Sequence, residues 1–441
     1  MSDILIRGGR VLDPANGVDL ARGSVRVRDG RIAAVGADLP ANGARVIDAE
    51  GLLVCPGFVD LHSHLREPGF EYKETIASGT LAAARGGFTT VCAMPNTEPP
   101  LDSKAAVDFV LGRAAAEGVV RVLPIGCVTK GRAGKALAEL AELAAAGCVG
   151  FSDDGSPVGD AAIMRRALEY AKIVDLPVID HCEDPALAGG VMHEGWVSTR
   201  LGLRGIPAAS EESAIARDLA LAAQTGAHVH IAHISTAGGV ALVRAARGAG
   251  LRVSAEVTPH HLALDHETVM GPSRGSGRGL AYDTSAKMYP PLRRAEDVEA
   301  CVAGLANGTI DAVATDHAPH AVQEKLCEFD AAAFGMVGLE TAFGLGLRAV
   351  ATGALSLERL IEALTIGPVR ALHLDRRLPG LGTLTVGAAA DLVLLDPERE
   401  WTVDADALAS KGKNTPLIGR TLRGRVVATL YGGELIHEER P

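Results

Sequence analysis

Eight apolar segments alternate with alanine-rich helical stretches between two strand-rich ends. They predict an α/β chain: a (β/α)8 TIM barrel with a small β-sandwich domain formed from both termini. A length of 441 residues accommodates such a barrel and an added domain. The competing fold, a doubly wound open sheet, would gather function at one switch point. Here chemically capable residues end nearly every segment.

Residues 1–55 and 373–441 are assigned to the terminal domain and 56–372 to the barrel. ILIRGGRVLD (4–13) and GSVRVRDGRIAAVG (23–36) alternate as half-buried strands, and Asp29-Gly30 is a hairpin signal. The barrel candidates begin with FVDLHSH (58–64), FTTVCAMPN (88–96), VRVLPIGC (120–127) and CVGFSDDG (148–155). They continue with LPVIDHCED (176–184), HVHIAHIST (228–236), RVSAEVTPHH (252–261) and DAVATDHAPH (311–320). Between them, GKALAELAELAAAG (134–147) reads as a helix. GPSRGSGRGLAYDTS (271–285) reads as a flexible surface loop; it could cradle a phosphate, but it opens no helix. HAVQEKLCEFDAAAFG (320–335) is a candidate lid. ADLVLLDPEREWTV (390–403) and RGRVVATLYGGELI (423–436) return to strands, and chain ends that lie close together would make one domain of both termini.

The net charge of -11 argues against a nucleic-acid surface, which needs clustered lysine and arginine. It does not exclude small anions, since one arginine can hold a carboxylate. The seven cysteines (Cys55, Cys92, Cys127, Cys148, Cys182, Cys301, Cys327) include no CxxC pair. Free thiols in a reducing cytoplasm are expected. MSDILIRGGRVLD lacks the pattern of a signal peptide, and no apolar run approaches the roughly 18 residues of a membrane span. The expectation is a cytoplasmic protein with no nucleic-acid or membrane partner.

Chemistry concentrates at the segment ends: His62, His64, Asp153, Asp154, His181, His233 and Asp316. Residues i and i+2 of a strand share a face, so His62 and His64 would aim both imidazoles at one point. Nitrogen and carboxylate donors without a thiolate suit catalytic zinc, with manganese or cobalt as substitutes. The donors are too many for one tetrahedral ion with an open position. Two ions sharing a carboxylate would account for so many donors and would acidify a water to a pKa near 7. Asp316 suits a proton shuttle. Strand parity admits only one of Asp153 and Asp154 to the pocket.

These residues carry a resemblance. The run Asp60–Arg66 (D-x-H-x-H-x-R), MPNT (94–97), FSDDG (151–155), DHCED (180–184), HIAHIST (230–236) and ATDHAPH (314–320) resemble the dihydroorotases of the amidohydrolase superfamily. Glu324-Lys325 and KNTP (413–416) extend the likeness over nearly the whole chain. It is closest to the bacterial type whose metals are bridged by an aspartate. Hydantoinases, dihydropyrimidinases and allantoinases typically bridge theirs with a carboxylated lysine, and GFSDDG offers none.

The resemblance implies two zinc ions per subunit, or one. The first would take His62, His64, Asp154 and Asp316, the second Asp154, His181 and His233. Asp153 would face its neighbours. Arg66, Asn96 and His320 would grip a substrate carboxylate, which the planar fork of arginine matches. His317 should be structural, and His260 and His261 receive no ligand role. The implied reaction interconverts N-carbamoyl-L-aspartate and L-dihydroorotate in pyrimidine biosynthesis. A homodimer is expected, and association with aspartate transcarbamoylase is compatible with catalysis. Many members read NPPLR where this chain has MYPPLR, so Tyr289 replaces an amide near the substrate ring.

Overall fold

The computed structural model describes residues 3–271 and 281–439. The chain opens with β1 (Asp3–Asp13), β2 (Val18–Arg28) and β3 (Arg31–Gly36), paired antiparallel in sequence. Asp29 and Gly30 both have positive φ, 52° and 75°, as a type I′ turn between twisted strands requires. β4 (Arg45–Asp48) and β5 (Leu53–Pro56) then run parallel to the two halves of β1. Register shifts around Gly9 let one long strand serve both partners, because a bulge bends the strand and increases its twist.

The parallel strands of the middle region follow. β6 (Phe58–Ser63), β7 (Phe88–Ala93) and β8 (Arg121–Pro124) form one sheet. β9 (Val178–Asp180) comes next, then a small pair, β10 (Met192–His193) and β11 (Gly205–Ile206). β12 (Val229–Ile231), β13 (Val253–Val257) and β14 (Ala312–Val313) join β9 in a second parallel sheet. The fourth expected segment joins the two sheets through single bridges, Gly126 to Phe151 and Phe151 to Val178. On the other side, Ser63 bridges His317, and the His64 amide donates to the His317 carbonyl at 2.9 Å. The parallel contacts therefore run in a circuit through all eight predicted segments. One apolar cluster gathers Val59, Leu61, Cys92, Ile125, Val149, Ile179, Ala232 and Ala314 from seven of those segments. It is the packing expected where strands enclose a shared interior.

Helices pack outside this circuit. They include α1 (Ile76–Arg85), α2 (Lys104–Glu117), α3 (Leu140–Ala146) and α4 (Ala161–Ile173). Beyond them lie α5 (Trp196–Leu201), α6 (Ala208–Thr225), α7 (Ala237–Gly248) and α8 (Ala295–Ala306). Thr75, Ser103, Asp160 and Thr236 cap α1, α2, α4 and α7 by accepting from backbone amides of the first turn. The short α9 (Val322–Lys325) lies in the expected lid segment, before α10 (Ala342–Ala351), α11 (Leu357–Leu364) and α12 (Ile366–Ala371). The helix expected over 134–147 begins only at Leu140. Ahead of it, residues 128–139 form a loop whose Val128 and Thr129 amides turn to the Asp153 carboxylate.

β15 (Leu392–Thr402), β16 (Thr421–Tyr431) and β17 (Glu434–Glu438) complete the chain, β15 pairing antiparallel with β5. Both termini thus meet in one β unit. Its eight strands form a single sheet around Ile6, Val25, Val54, Leu392, Leu394 and Leu430, rather than two separate sheets. Among the described residues, no helix is long and apolar enough to cross a membrane. Most of the expected 271–285 loop, residues 272–280, lies outside the described residues.

Candidate metal centre

β6 delivers His62 and the backbone just beyond it delivers His64, both buried. His64 Nε2 lies 3.0 Å from Asp316 Oδ1, and His62 Nε2 lies 3.6 Å from the same oxygen. Asp154 sits between the two halves of the cluster. Its Oδ1 is 3.4 Å from His62 Nε2, 3.6 Å from His181 Nδ1 and 3.4 Å from His233 Nε2. Its Oδ2 is 3.5 Å from His64 Nε2. His181 Nδ1 and His233 Nε2 approach each other to 2.9 Å.

Four imidazole nitrogens and two carboxylates thus converge in a buried space, and two overlapping triads place their ligating atoms within 4.8 Å of one another. His62 Nε2, fully buried, has no hydrogen-bond partner. An orphaned imidazole nitrogen among carboxylates fits a divalent cation.

Backbone geometry explains how distant segments aim here. Ala232 already belongs to the enclosed apolar cluster, so strict alternation would turn His233 away. Its left-handed φ of 32° redirects it. Asp316 and Arg66 are likewise left-handed, at 44° and 62°, and such strain persists where the surroundings over-determine it.

The outward nitrogens are also held. His62 Nδ1 contacts Glu256 Oε1 at 2.9 Å, and Glu256 Oε2 contacts His230 Nε2 at 3.1 Å. His64 Nδ1 donates to Asn96 Oδ1 at 2.7 Å, leaving Nε2 for the centre. Such partners fix tautomer and ring orientation. Burial would raise the Glu256 pKa, but hydrogen bonds from His230 and His62 hold its carboxyl down at about 2. Asp60 accepts from the Thr315 amide at 2.7 Å and its hydroxyl at 2.6 Å, tying the first segment to the residue before Asp316. The sequence reading missed Glu256, His230 and Asp60 as supporting groups. Asp60 and His230 open two of the quoted motifs without receiving a role there, and the signal for Glu256 was an acid inside an otherwise apolar strand.

Asp153 faces its neighbours, accepting from the Val128 and Thr129 amides and the Thr129 hydroxyl. Behind Asp154, Arg132 donates to its carbonyl and to Ser156 Oγ. His317 lies apart from the centre, with Nε2 3.3 Å from Glu74 Oε2 and Nδ1 accepting from the Gly338 amide. His261 is engaged by Thr258 and by the Pro290 carbonyl. His260 is buried, and that burial, together with neighbouring His261, keeps it neutral.

Arg66 and His320 meet beside the centre. Arg66 Nε donates to the Pro319 carbonyl at 3.2 Å, and its Nη2 lies 3.4 Å from His320 Nε2. Burial lowers the Arg66 pKa to about 10, which leaves it charged at neutral pH. His320 Nε2 is 2.7 Å from the Phe334 carbonyl, which requires the proton on that nitrogen. Burial first, and the Arg66 charge second, lower the His320 pKa to about 2. Asn96 joins the group through His64.

With this geometry in place, comparison with known proteins is decisive. A dihydroorotase from Anaeromyxobacter sp. (strain K) is 56% identical over 443 residues, covering 100% of this chain and 99% of the relative. The chain belongs to the dihydroorotase family. A dihydroorotase from Geobacter sp. (strain M21) is 51% identical over 438 residues, covering 99% of each chain. The family described as dihydro-orotase-like matches residues 51–238. In this dihydroorotase-family chain that stretch holds His62, His64, Asp154, His181 and His233, while Asp316 and His320 lie beyond it. The L-hydantoinase (dihydropyrimidinase) from Arthrobacter aurescens has a TM-score of 0.86 at 27% identity, covering 99% of this chain and 96% of that one. The dihydropyrimidinase from Brevibacillus agri NCHU1002 shares the fold, with a TM-score of 0.84 at 24% identity and coverage of 99% and 95%.

Proposed function

We propose that the protein is a zinc-dependent dihydroorotase that interconverts N-carbamoyl-L-aspartate and L-dihydroorotate plus water in pyrimidine biosynthesis. The observation that carries this reading is the buried cluster centred on Asp154, set beside a charged arginine in a chain of this family. His62, His64, Asp154 and Asp316 would hold one zinc ion, and Asp154, His181 and His233 a second. When bound, zinc supplies Lewis acidity at the ring carbonyl and lowers the pKa of water.

The chain supplies the rest. Arg66, with Asn96, binds the substrate carboxylate and orients the ring, and His320 stands beside Arg66 as its neutral neighbour; a planar guanidinium is suited to a bidentate grip on a carboxylate. In the hydrolytic direction Asp316 takes the proton of the attacking water and delivers it to the departing ring nitrogen. In the biosynthetic direction the transfers reverse. Residues 320–335, bearing His320, exclude water once substrate is bound. The working unit is a (β/α)8 barrel over 56–372, with 1–55 and 373–441 as the terminal β domain. Seven unpaired thiols support a reducing, cytoplasmic setting.

The test is a substrate panel on purified protein: L-dihydroorotate, hydantoin and dihydrouracil. Preference for dihydroorotate by about 10²-fold or more in kcat/KM supports the reading, since the panel differs at the carboxylate that Arg66 would bind. Equal or better turnover of the uncharged rings would overturn it in favour of a hydantoinase-like enzyme.

A further inference from the structure

The segment MYPPLR places Tyr289, half-buried, between the metal centre and the 320–335 segment. Its ring lies on the imidazole of His181, with centroids 4.6 Å apart and planes tilted by 34°. It also lies on the ring of Phe334, at 4.9 Å and 39°. The Lys287 ammonium lies 4.4 Å from the Phe334 ring centroid while donating to the Phe329 carbonyl at 2.7 Å. A continuous stack therefore runs from a buried cation, through two aromatic rings, to a ligand of the centre. Offset or tilted aromatic pairs and a desolvated cation over a ring are each attractive beyond the area they bury.

The stack connects with the anion-binding groups through the backbone of Phe334. The Phe334 carbonyl accepts from His320 Nε2, and His320 adjoins Arg66. Fixing the Phe334 ring thus fixes the carbonyl that orients His320.

We propose that Tyr289 is a positioning residue for substrate binding: stacked between His181 and Phe334, it sets the 320–335 segment and, through it, His320 and Arg66. The inference deepens the dihydroorotase reading and rests on it for the identity of the carboxylate ligand. Both contacts are made by the ring, so the aromatic face rather than the hydroxyl carries the role.

The experiment compares wild type with Tyr289→Ala, Tyr289→Leu and Tyr289→Phe in the zinc-loaded protein. It measures amide hydrogen exchange over 326–335, zinc per chain, and steady-state kinetics on dihydroorotate and dihydrouracil. The alanine and leucine variants are expected to exchange about tenfold faster in that segment alone, with zinc content unchanged. Their KM for dihydroorotate should rise about fivefold to tenfold, with kcat within about threefold and a smaller change on dihydrouracil. Tyr289→Phe should restore exchange and KM to wild-type values. Unchanged exchange over 326–335, faster exchange throughout the barrel, zinc loss, or a phenylalanine variant as impaired as alanine would each overturn the proposal. Leucine keeps the bulk of the side chain and serves as the test if the alanine protein does not fold. Should the wild-type protein fail to turn over dihydroorotate, the functional reading falls, while the exchange comparison still judges the stack.

Discussion

The Asp154 carboxylate lies within 3.6 Å of four imidazoles, so it is the one acid common to both halves of the centre. Asp316 touches only the His62–His64 half. This asymmetry separates their roles. Asp316→Asn is expected to leave a folded protein with at least one bound zinc while lowering kcat by about 10²- to 10⁴-fold, the range for a lost general acid–base group. Near-normal turnover by that variant would remove the proton role. Arg66 makes a different claim, because it is buried yet charged and its Nη2 lies beside a neutral histidine. Arg66→Met should raise KM for dihydroorotate about 10- to 100-fold and leave an uncharged cyclic imide much less affected. Equal losses on both substrates would contradict a carboxylate clamp. At this scale the sequence was informative wherever spacing alone fixes direction, as at His62 and His64. It said little about Glu256 and His230, because an acid inside an apolar strand announces burial without naming its partner, and that partner is 194 residues away in the chain.

The fourth segment shows what an element can specify and what it cannot. Its parity separates Asp153 from Asp154, but its pairing is reduced to the bridges at Phe151. Asp153 takes three donors from residues 128 and 129, and that loop displaces the start of α3 to Leu140. Helical propensity over 134–147 was real, but residues 136–138 pair back on 128–130, the Lys130 amide donating to the Ala136 carbonyl and the Ala138 amide to the Val128 carbonyl, a competing pairing that a helical window does not register. Asp153→Asn is expected to lower the free energy of unfolding by about 2–3 kcal/mol, measured by denaturant titration, with zinc content preserved. Asp154→Asn should do the reverse, losing zinc with a smaller stability change. If both variants lose zinc equally, the assignment by parity is wrong. The terminal strands illustrate another limit. Their existence and the Asp29-Gly30 turn were legible, but the joining of β15 to β5 depends on contacts across more than 300 residues, and alternation in sequence does not reveal a partner.

Over the whole molecule, the eight-segment rhythm was readable because each segment is short, apolar and bounded by helix-forming sequence. The circuit they form brings together side chains from residue 62 to residue 316, and the same enclosure buries several histidines away from the centre. Burial lowers the pKa of His193, His228 and His261 to about 3, against 6.5 for an exposed imidazole. Between those values the unfolded chain binds more protons than the folded one. Stability is therefore full above pH 6.5 and is lost as the pH falls towards 3. Each such histidine should cost about 1.4 kcal/mol between pH 8 and 5.5, and His228→Gln should remove one such increment from the pH dependence of unfolding. A pH profile unchanged in that variant would show that His228 is not held neutral. Turnover by this centre requires cations held by the Asp154-centred cluster. The most direct test measures zinc per chain and dihydroorotate turnover on one sample, before chelation, after chelation and after zinc is restored. The prediction is that both fall together and return together; turnover that persists once zinc and every other divalent metal have been stripped would contradict it.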